Sequence, residues 1–287
     1  MTALPAFFSD SQRLVSAELQ RLLSGGPGSV ERAMAHTGLA PSKQVRAVLV
    51  LVCAELCRGS AARAVPAAAA IELVHASSLI LDDLPSMDDA PLRRGRKANH
   101  LEFGEALAIL AAFGLLNLAY DTIARAYDGD LATAIARALS GAVGPEGLIG
   151  GQALDLDATD RAIDFGALER IHRGKTGSLF IAAATCGALT AGGSPESIAA
   201  LTAYARNLGL AFQIVDDLLD VQGDPVETGK AVRADARKTT FVSFSGVDGA
   251  RQLAAELCDT ANRALAPFGA RADRLRELSA FVAARRL

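Results

Sequence analysis

Two stretches concentrate the groups able to do chemistry. "SLILDDLPSMDDAPLRRG" (78–95) drives an apolar segment into Asp82, Asp83, Asp88 and Asp89, and then into Arg93 and Arg94. "FQIVDDLLD" (212–220) repeats the theme with Asp216, Asp217 and Asp220. A packed core gains nothing from such clusters, because ionised carboxylates repel one another and resist leaving water. Oxygen donors without His or Cys suit Mg2+, which keeps several waters and is usually completed by substrate phosphates. The arginines supply the opposite charge. Together they describe an anion bridged by metal on one side and guanidinium on the other, and diphosphate fits that description best.

Spacing refines the two clusters differently. Asp216 and Asp220 are four apart and share a helix face, with Phe212 one turn back. Like charges at that spacing destabilise an isolated helix, so a cation must compensate. In the first cluster, His75 and Asp82 are seven apart and share a face. Pro85 disfavours helical geometry at Leu84, so the helix ends near Asp83 and Asp88 returns to Asp82 through a bulged turn. A solitary acidic cluster at a helix end is ordinarily solvated surface or a loop cap. Two clusters, each ending an apolar helix, carry the argument.

Further cations could serve the same anion: Lys43 and Arg46 in "PSKQVRAVL", Lys175 beside Thr176 in "HRGKTGSLF", Lys230 in "ETGKAV" and Lys238 in "ARKTT". Singly each reads as a surface residue. As a set they suffice for two diphosphates.

The elements that must position these groups are helical. The 287 residues are 51% hydrophobic, rich in Ala and Leu and without Trp. Breaks at 25–29, 38–42, 141–151, 191–195 and 223–229 separate segments of helical length and periodicity. No alternating strand, Asn-Gly hairpin, interdomain linker or repeat is read, so an all-α single domain over 1–287 is expected. A net charge of −3 without a basic stripe argues against nucleic acid. Cys53, Cys57, Cys186 and Cys258 form no CxxC pair and read as buried thiols of a reducing compartment. No signal peptide is read at the N-terminus. The apolar run 106–120 is too short for a comfortable membrane span and reads as a buried helix. A cytoplasmic protein without a stable membrane span is the expectation.

At this point the sequence resembles the trans-isoprenyl diphosphate synthases, the polyprenyl synthetase family, over about residues 30–287. The two aspartate-rich stretches, with "GDPVETGK" after the second, match the family's two motifs. "GGQALDLD" (150–157) and "HRGKTGSLF" (172–180) match two further segments in order and distance. The resemblance implies a bundle of mostly antiparallel helices around a central cavity, usually a homodimer, and about three Mg2+ per active site. By position, Asp82, Asp88 and Asp216 would be metal ligands, with Asp83, Asp217 and Asp220 acting directly or through water. Arg93, Lys175, Thr176, Gln213, Lys230 and Lys238 would hold an allylic diphosphate. Lys43, Arg46, His75 and Arg94 would hold isopentenyl diphosphate. His75 alone would otherwise read as a rim residue; His36, His100 and His172 are read as structural.

The implied reaction loses diphosphate from the allylic substrate and joins the resulting cation to isopentenyl diphosphate. The chain departs from the family's Gly-Gly-Lys-Arg-x-Arg-Pro segment at Gln44 and Ala47. The fifth residue before Asp82, commonly aromatic in members making C15, is here Ser77, followed by Ser78, both small. A C20 product, geranylgeranyl diphosphate, is therefore expected. Phe113 or Phe103, closing the tunnel from a neighbouring helix, would give C15 or C10 instead. The alternatives are a farnesyl or geranyl diphosphate synthase, a class I terpene cyclase, disfavoured by the all-aspartate second motif, and a non-catalytic subunit of a heteromeric synthase.

Overall fold

A computed structural model describes residues 6–222 and 238–284 of the chain. Helices α1 (Ala6–Leu23), α2 (Ser29–Gly38) and α3 (Val45–Leu56) lead into α4 (Ala61–Asp82), the 22-residue helix that ends on the first cluster. After the short α5 (Asn99–Phe103) come α6 (Glu105–Ala126), α7 (Gly129–Val143), α8 (Leu148–Ala158) and α9 (Phe165–His172). A π-helical turn, Arg173–Gly177, runs straight into α10 (Ser178–Thr190). Then follow α11 (Pro195–Gln222), which carries the second cluster, α12 (Phe241–Ala264), a 3-10 segment (Ala266–Ala272) and α13 (Asp273–Ala283).

Packing places α10 at the centre, against α3, α4, α7 and α11. Its sequence SLFIAAATCGALT is apolar all round, as a helix enclosed by others must be. Small residues bring the backbones close: a Cβ at Gly187 would lie 2.2 Å from the Val50 carbonyl oxygen of α3. The expected all-α architecture is thus present, with a core running from Phe8 and Leu49 through Ile71, Leu115 and Phe180 to Tyr204 and Val282.

Helix α4 survives an internal proline. Pro66 has no N–H to continue the ladder. One residue on, the buried Tyr127 hydroxyl enters the helix, accepting from the Ala67 N–H at 3.2 Å and donating to the Arg63 carbonyl at 2.7 Å. Burial pushes that phenol up to about 12, so it stays a donor across the working pH range.

Two expectations need correction. Residues 92–97 form a two-stranded antiparallel ribbon, pairing Leu92 with Lys97 and Arg93 with Arg96. Its two-residue turn, Arg94-Gly95, has φ of 54° and 74°, the doubly left-handed geometry that follows strand twist. The apolar run at 106–120 is part of a 22-residue helix. By length and composition α4, α6 and the Pro195–Val221 stretch are each long and apolar enough to cross a membrane. Run length therefore gives no argument against a span. Nor is α6 wholly buried: Ile109, Leu110 and Phe113 are exposed. Cys53, Cys186 and Cys258 are buried and Cys57 half-buried, all as free thiols.

Candidate active site

The end of α4 is built as its proline demands. The helix stops at Asp82, and the chain bulges so that the Asp88 N–H donates to the Asp82 carbonyl at 2.9 Å. Asp89, with φ 46°, closes the turn on the Leu84 carbonyl. The ribbon then returns the arginines. Arg93 grips Asp83 with two nitrogens, Nε at 2.9 Å from Oδ1. Asp83, 2% exposed, is thus paired with Arg93.

Asp82, Asp88 and Asp155 are tied together by two lysines. Lys175 Nζ lies 2.8 Å from Asp155 and 3.7 Å from Asp82. Lys238 Nζ lies 2.8 Å from Asp88 and 3.0 Å from Asp155. Burial alone would raise Asp155, but the two ammonium groups hold its carboxyl below the usual range. Burial also works against the charge on Lys175, yet Asp82 and Asp155 keep its pKa raised. For Asp82 burial wins and its carboxyl is pushed up, with Lys175 opposing and Asp88 adding. Asp155, inside the "GGQALDLD" stretch, is the hub of this network.

Lys175 reaches the network because of the π turn. An extra residue in a helical turn re-aims the side chains around it, a feature frequent at functional sites. Two glycines make the approach possible: a Cβ at Gly151 would lie 2.1 Å from the Lys175 backbone nitrogen, and one at Gly174 would lie 3.0 Å from Gly151 Cα. Any other residue would push α8 off the turn.

The second cluster joins at the next residue. Thr176 Oγ1 donates to Gln213 at 2.7 Å, and Gln213 Nε2 donates to Asp217 at 3.0 Å. The other Asp217 oxygen accepts the Phe241 N–H, at the start of α12, at 3.0 Å. Asp217, 2% exposed, thus fastens α11 to α12. Asp216 and Asp220, on the adjoining face, are half-buried. Lys230 lies outside the described residues.

His172, read as structural from sequence, lies beside Phe241 and within the field of Asp155, Lys175 and Lys238. Its ring is 5.1 Å from that of Phe241, and neither ring nitrogen has a partner among the described residues. Burial lowers its pKa to about 4, so the ring is neutral at pH 7.

The residues expected around isopentenyl diphosphate gather on α3, α4 and the ribbon. The Arg46 guanidinium stands over Phe180 at 4.7 Å and lies 5.7 Å from the Phe212 ring. Lys43 is exposed, its Nζ 5.8 Å from the Phe281 ring centre, and His75 is half-buried. Arg94 donates to the Ala40 carbonyl at 3.5 Å, and burial lowers its pKa. Both departures have local causes. Gln44 sits at φ 49° with its amide bonded to Ser16, and the Ala47 N–H, which proline would lack, is accepted by Glu72.

The length-setting candidates separate. Ser77 is buried and donates to the Ala112 carbonyl of α6 at 2.8 Å, so it faces that helix. Ser78 lies one turn before Asp82 on the Asp82–His75 face, its hydroxyl bonded to the His75 carbonyl. Phe113 is 64% exposed on the outer side of α6. Within one chain it closes no tunnel, which corrects that expectation.

A profile of the polyprenyl synthetase family matches residues 28–261. The chain belongs to that family. It is 37% identical to the farnesyl diphosphate synthase of Geobacillus stearothermophilus, over 90% of each chain. It is 41% identical to geranylgeranyl pyrophosphate synthase 11 of Arabidopsis thaliana, over 90% of this chain and 75% of that one. The crystal structure of geranylgeranyl pyrophosphate synthetase from Pyrococcus horikoshii superposes with a TM-score of 0.88 at 29% identity, covering 98% of both chains. The enzyme is a trans-prenyltransferase of the short-chain type, acting on isoprenoid diphosphates, in a family that depends on magnesium.

The synthase's donors suit that ion. They are carboxylates only, and Asp82 is half-buried beside another carboxylate, where a divalent cation would relieve its raised pKa. Among the described residues no three such groups stand close enough to hold a metal as they lie, and Lys175 and Lys238 are paired with Asp82 and Asp88.

Proposed function

We propose that this single-domain enzyme condenses isopentenyl diphosphate with dimethylallyl, geranyl or farnesyl diphosphate and ends at C20, geranylgeranyl diphosphate. One observation carries the reaction: Asp82, Asp88 and Asp155 share two lysines, and Lys175 is followed by Thr176, bonded to Gln213 one turn before Asp216. These contacts support a reading in which two acidic motifs far apart in sequence serve one anion.

Asp82, Asp88 and Asp216 would hold Mg2+, about three ions per site, with Asp220 as a further donor. The ion, when bound, supplies the Lewis acidity that offsets charge on departing diphosphate. Lys175 and Lys238 would release their carboxylates and, with Arg93, Thr176, Gln213 and Lys230, grip the allylic diphosphate. Lys43, Arg46, His75 and Arg94 would hold isopentenyl diphosphate so that its double bond meets the allylic carbon. The apolar flanks of α4, α10 and α11 would keep water from the cation, and the released diphosphate would take the proton.

The C20 limit rests on Ser78, small and one turn below Asp82 on the site face. Labelled isopentenyl diphosphate, Mg2+ and each allylic diphosphate in turn would test it, with products sized after dephosphorylation. C20 is expected. A C10 or C15 endpoint would overturn the chain length and keep the reaction, and no elongation would sink both. Ser78→Phe should shorten the product, while Ser77→Phe should instead collide with α6 and lower the melting temperature.

The exposed Ile109, Leu110 and Phe113 on α6 support a homodimer in which a second copy covers this face. Phe113→Glu should then give monomers in light scattering. We also place the enzyme in the cytoplasm as a soluble protein, supported by its bacterial relatives.

A further inference from the structure

Glu72 lies inside the molecule, 6% exposed, on an otherwise apolar stretch of α4. Burying a carboxylate is costly unless other groups compensate its charge. The compensating groups here are ones assigned above to isopentenyl diphosphate. Burial raises its pKa first, and the charges pulling it back are Arg94 and then Arg46. Its Oε1 accepts the N–H of Ala47, the residue after Arg46, at 3.3 Å. Three residues along α4 stands His75.

The contact with Ala47 does a second task. Ala47 is the third residue of α3, where a helix leaves an N–H without an internal partner. The residue before the helix, Gln44, makes no cap, since its side chain is bonded to Ser16. Glu72 supplies the missing acceptor from the neighbouring helix, and its charge suits the positive end of α3. One carboxylate therefore fixes the backbone that carries Arg46 and balances the guanidinium of Arg94, itself half-buried on a turn of positive φ.

We infer that Glu72 is a positioning residue of the isopentenyl diphosphate subsite, holding Arg46 and Arg94 inward so that they meet the diphosphate as an ordered pair. This rests on the reaction proposed above. It also carries an opposing expectation: a bystander carboxylate would only weaken anion binding, so its removal would tighten it.

Steady-state kinetics on full-length Glu72→Gln, which keeps the shape and an acceptor oxygen but not the charge, decide between them. The KM for isopentenyl diphosphate should rise about tenfold, with the allylic KM unchanged. Glu72→Asp, which restores the charge, should recover part of the loss, and it carries the test if the Gln variant fails to fold. A lower KM for isopentenyl diphosphate, an equal rise in both KM values, or a lower melting temperature with both KM values intact would overturn the inference. Wild-type protein that elongates no substrate would instead sink the proposed reaction, and this assignment with it.

Discussion

The two aspartate clusters look alike in sequence and are built on different principles. The first stands where a helix stops, and its carboxylates are handed to separate partners: Asp83 to Arg93, Asp82 to Lys175, Asp88 to Lys238. The second lies along an unbroken helix, where the 3.6-residue repeat sorts the carboxylates. Asp217 turns inward to fasten Gln213 and the start of α12, while Asp216 and Asp220 share the more open face. Both clusters sit near helix C-termini, where the backbone already carries negative charge, so neither is stable without cations. In each DD pair one aspartate is anchored by buried contacts and the other is more open, and the anchored one is the second both times.

Removing Asp82 or Asp216 is the largest test of that division. Asp82→Ala and Asp216→Ala should each lower kcat by about 10²–10³-fold or more, with unchanged circular dichroism. Full activity in either variant would break the pairing of the clusters.

His172, within the field of Asp155, Lys175 and Lys238, sharpens the comparison through pH. Its folded pKa is depressed to about 4, from an ordinary value of 6.5. Between those values the unfolded chain binds a proton that the native one does not, so stability is full above 6.5 and falls as pH drops toward 4. The loss should approach about 3 kcal/mol in urea titrations, by the cost of one pKa unit. His172→Phe should lack this component; a parallel decline in both proteins would show that the ring does not carry it.

Asp217→Ala gives the smallest effect. One buried and one half-buried donor would lose their acceptor, at a cost of about 1–3 kcal/mol in stability. The Mg2+ concentration for half-maximal activity should stay where it is. A shift in that concentration would return Asp217 to the metal ligands and erase the distinction.

Sequence makes some of this legible and hides the rest for identifiable reasons. Pro85 announces the end of α4, and the return of Asp88 follows, because a proline constrains backbone locally. The 216–220 spacing gives the shared face. The ribbon escapes a sequence reading because its turn is Arg-Gly, and arginine rarely takes a positive φ. Asp155 lies in a recognisable stretch, yet no local periodicity relates it to Lys175 or Lys238. Glu72 hides inside an apolar helix, where a lone acidic residue looks like the edge of a face. Phe113 misleads because α6 is apolar on nearly every side, and such a helix does not say which way it faces.

The Tyr127 hydroxyl threaded into α4 makes that helix a lever with a fixed fulcrum. From Pro66 to Asp82 is roughly 24 Å at 1.5 Å per residue. A change of about 5° in the bend would swing the carboxylate by about 2 Å, where misplacement of about 1 Å can already cost much of the rate. The phenol at its far end, together with the packing of α4 against α3, α6 and α10, helps to hold the angle of the lever. A hydrogen bond about four helical turns away thus bears on where Asp82 stands.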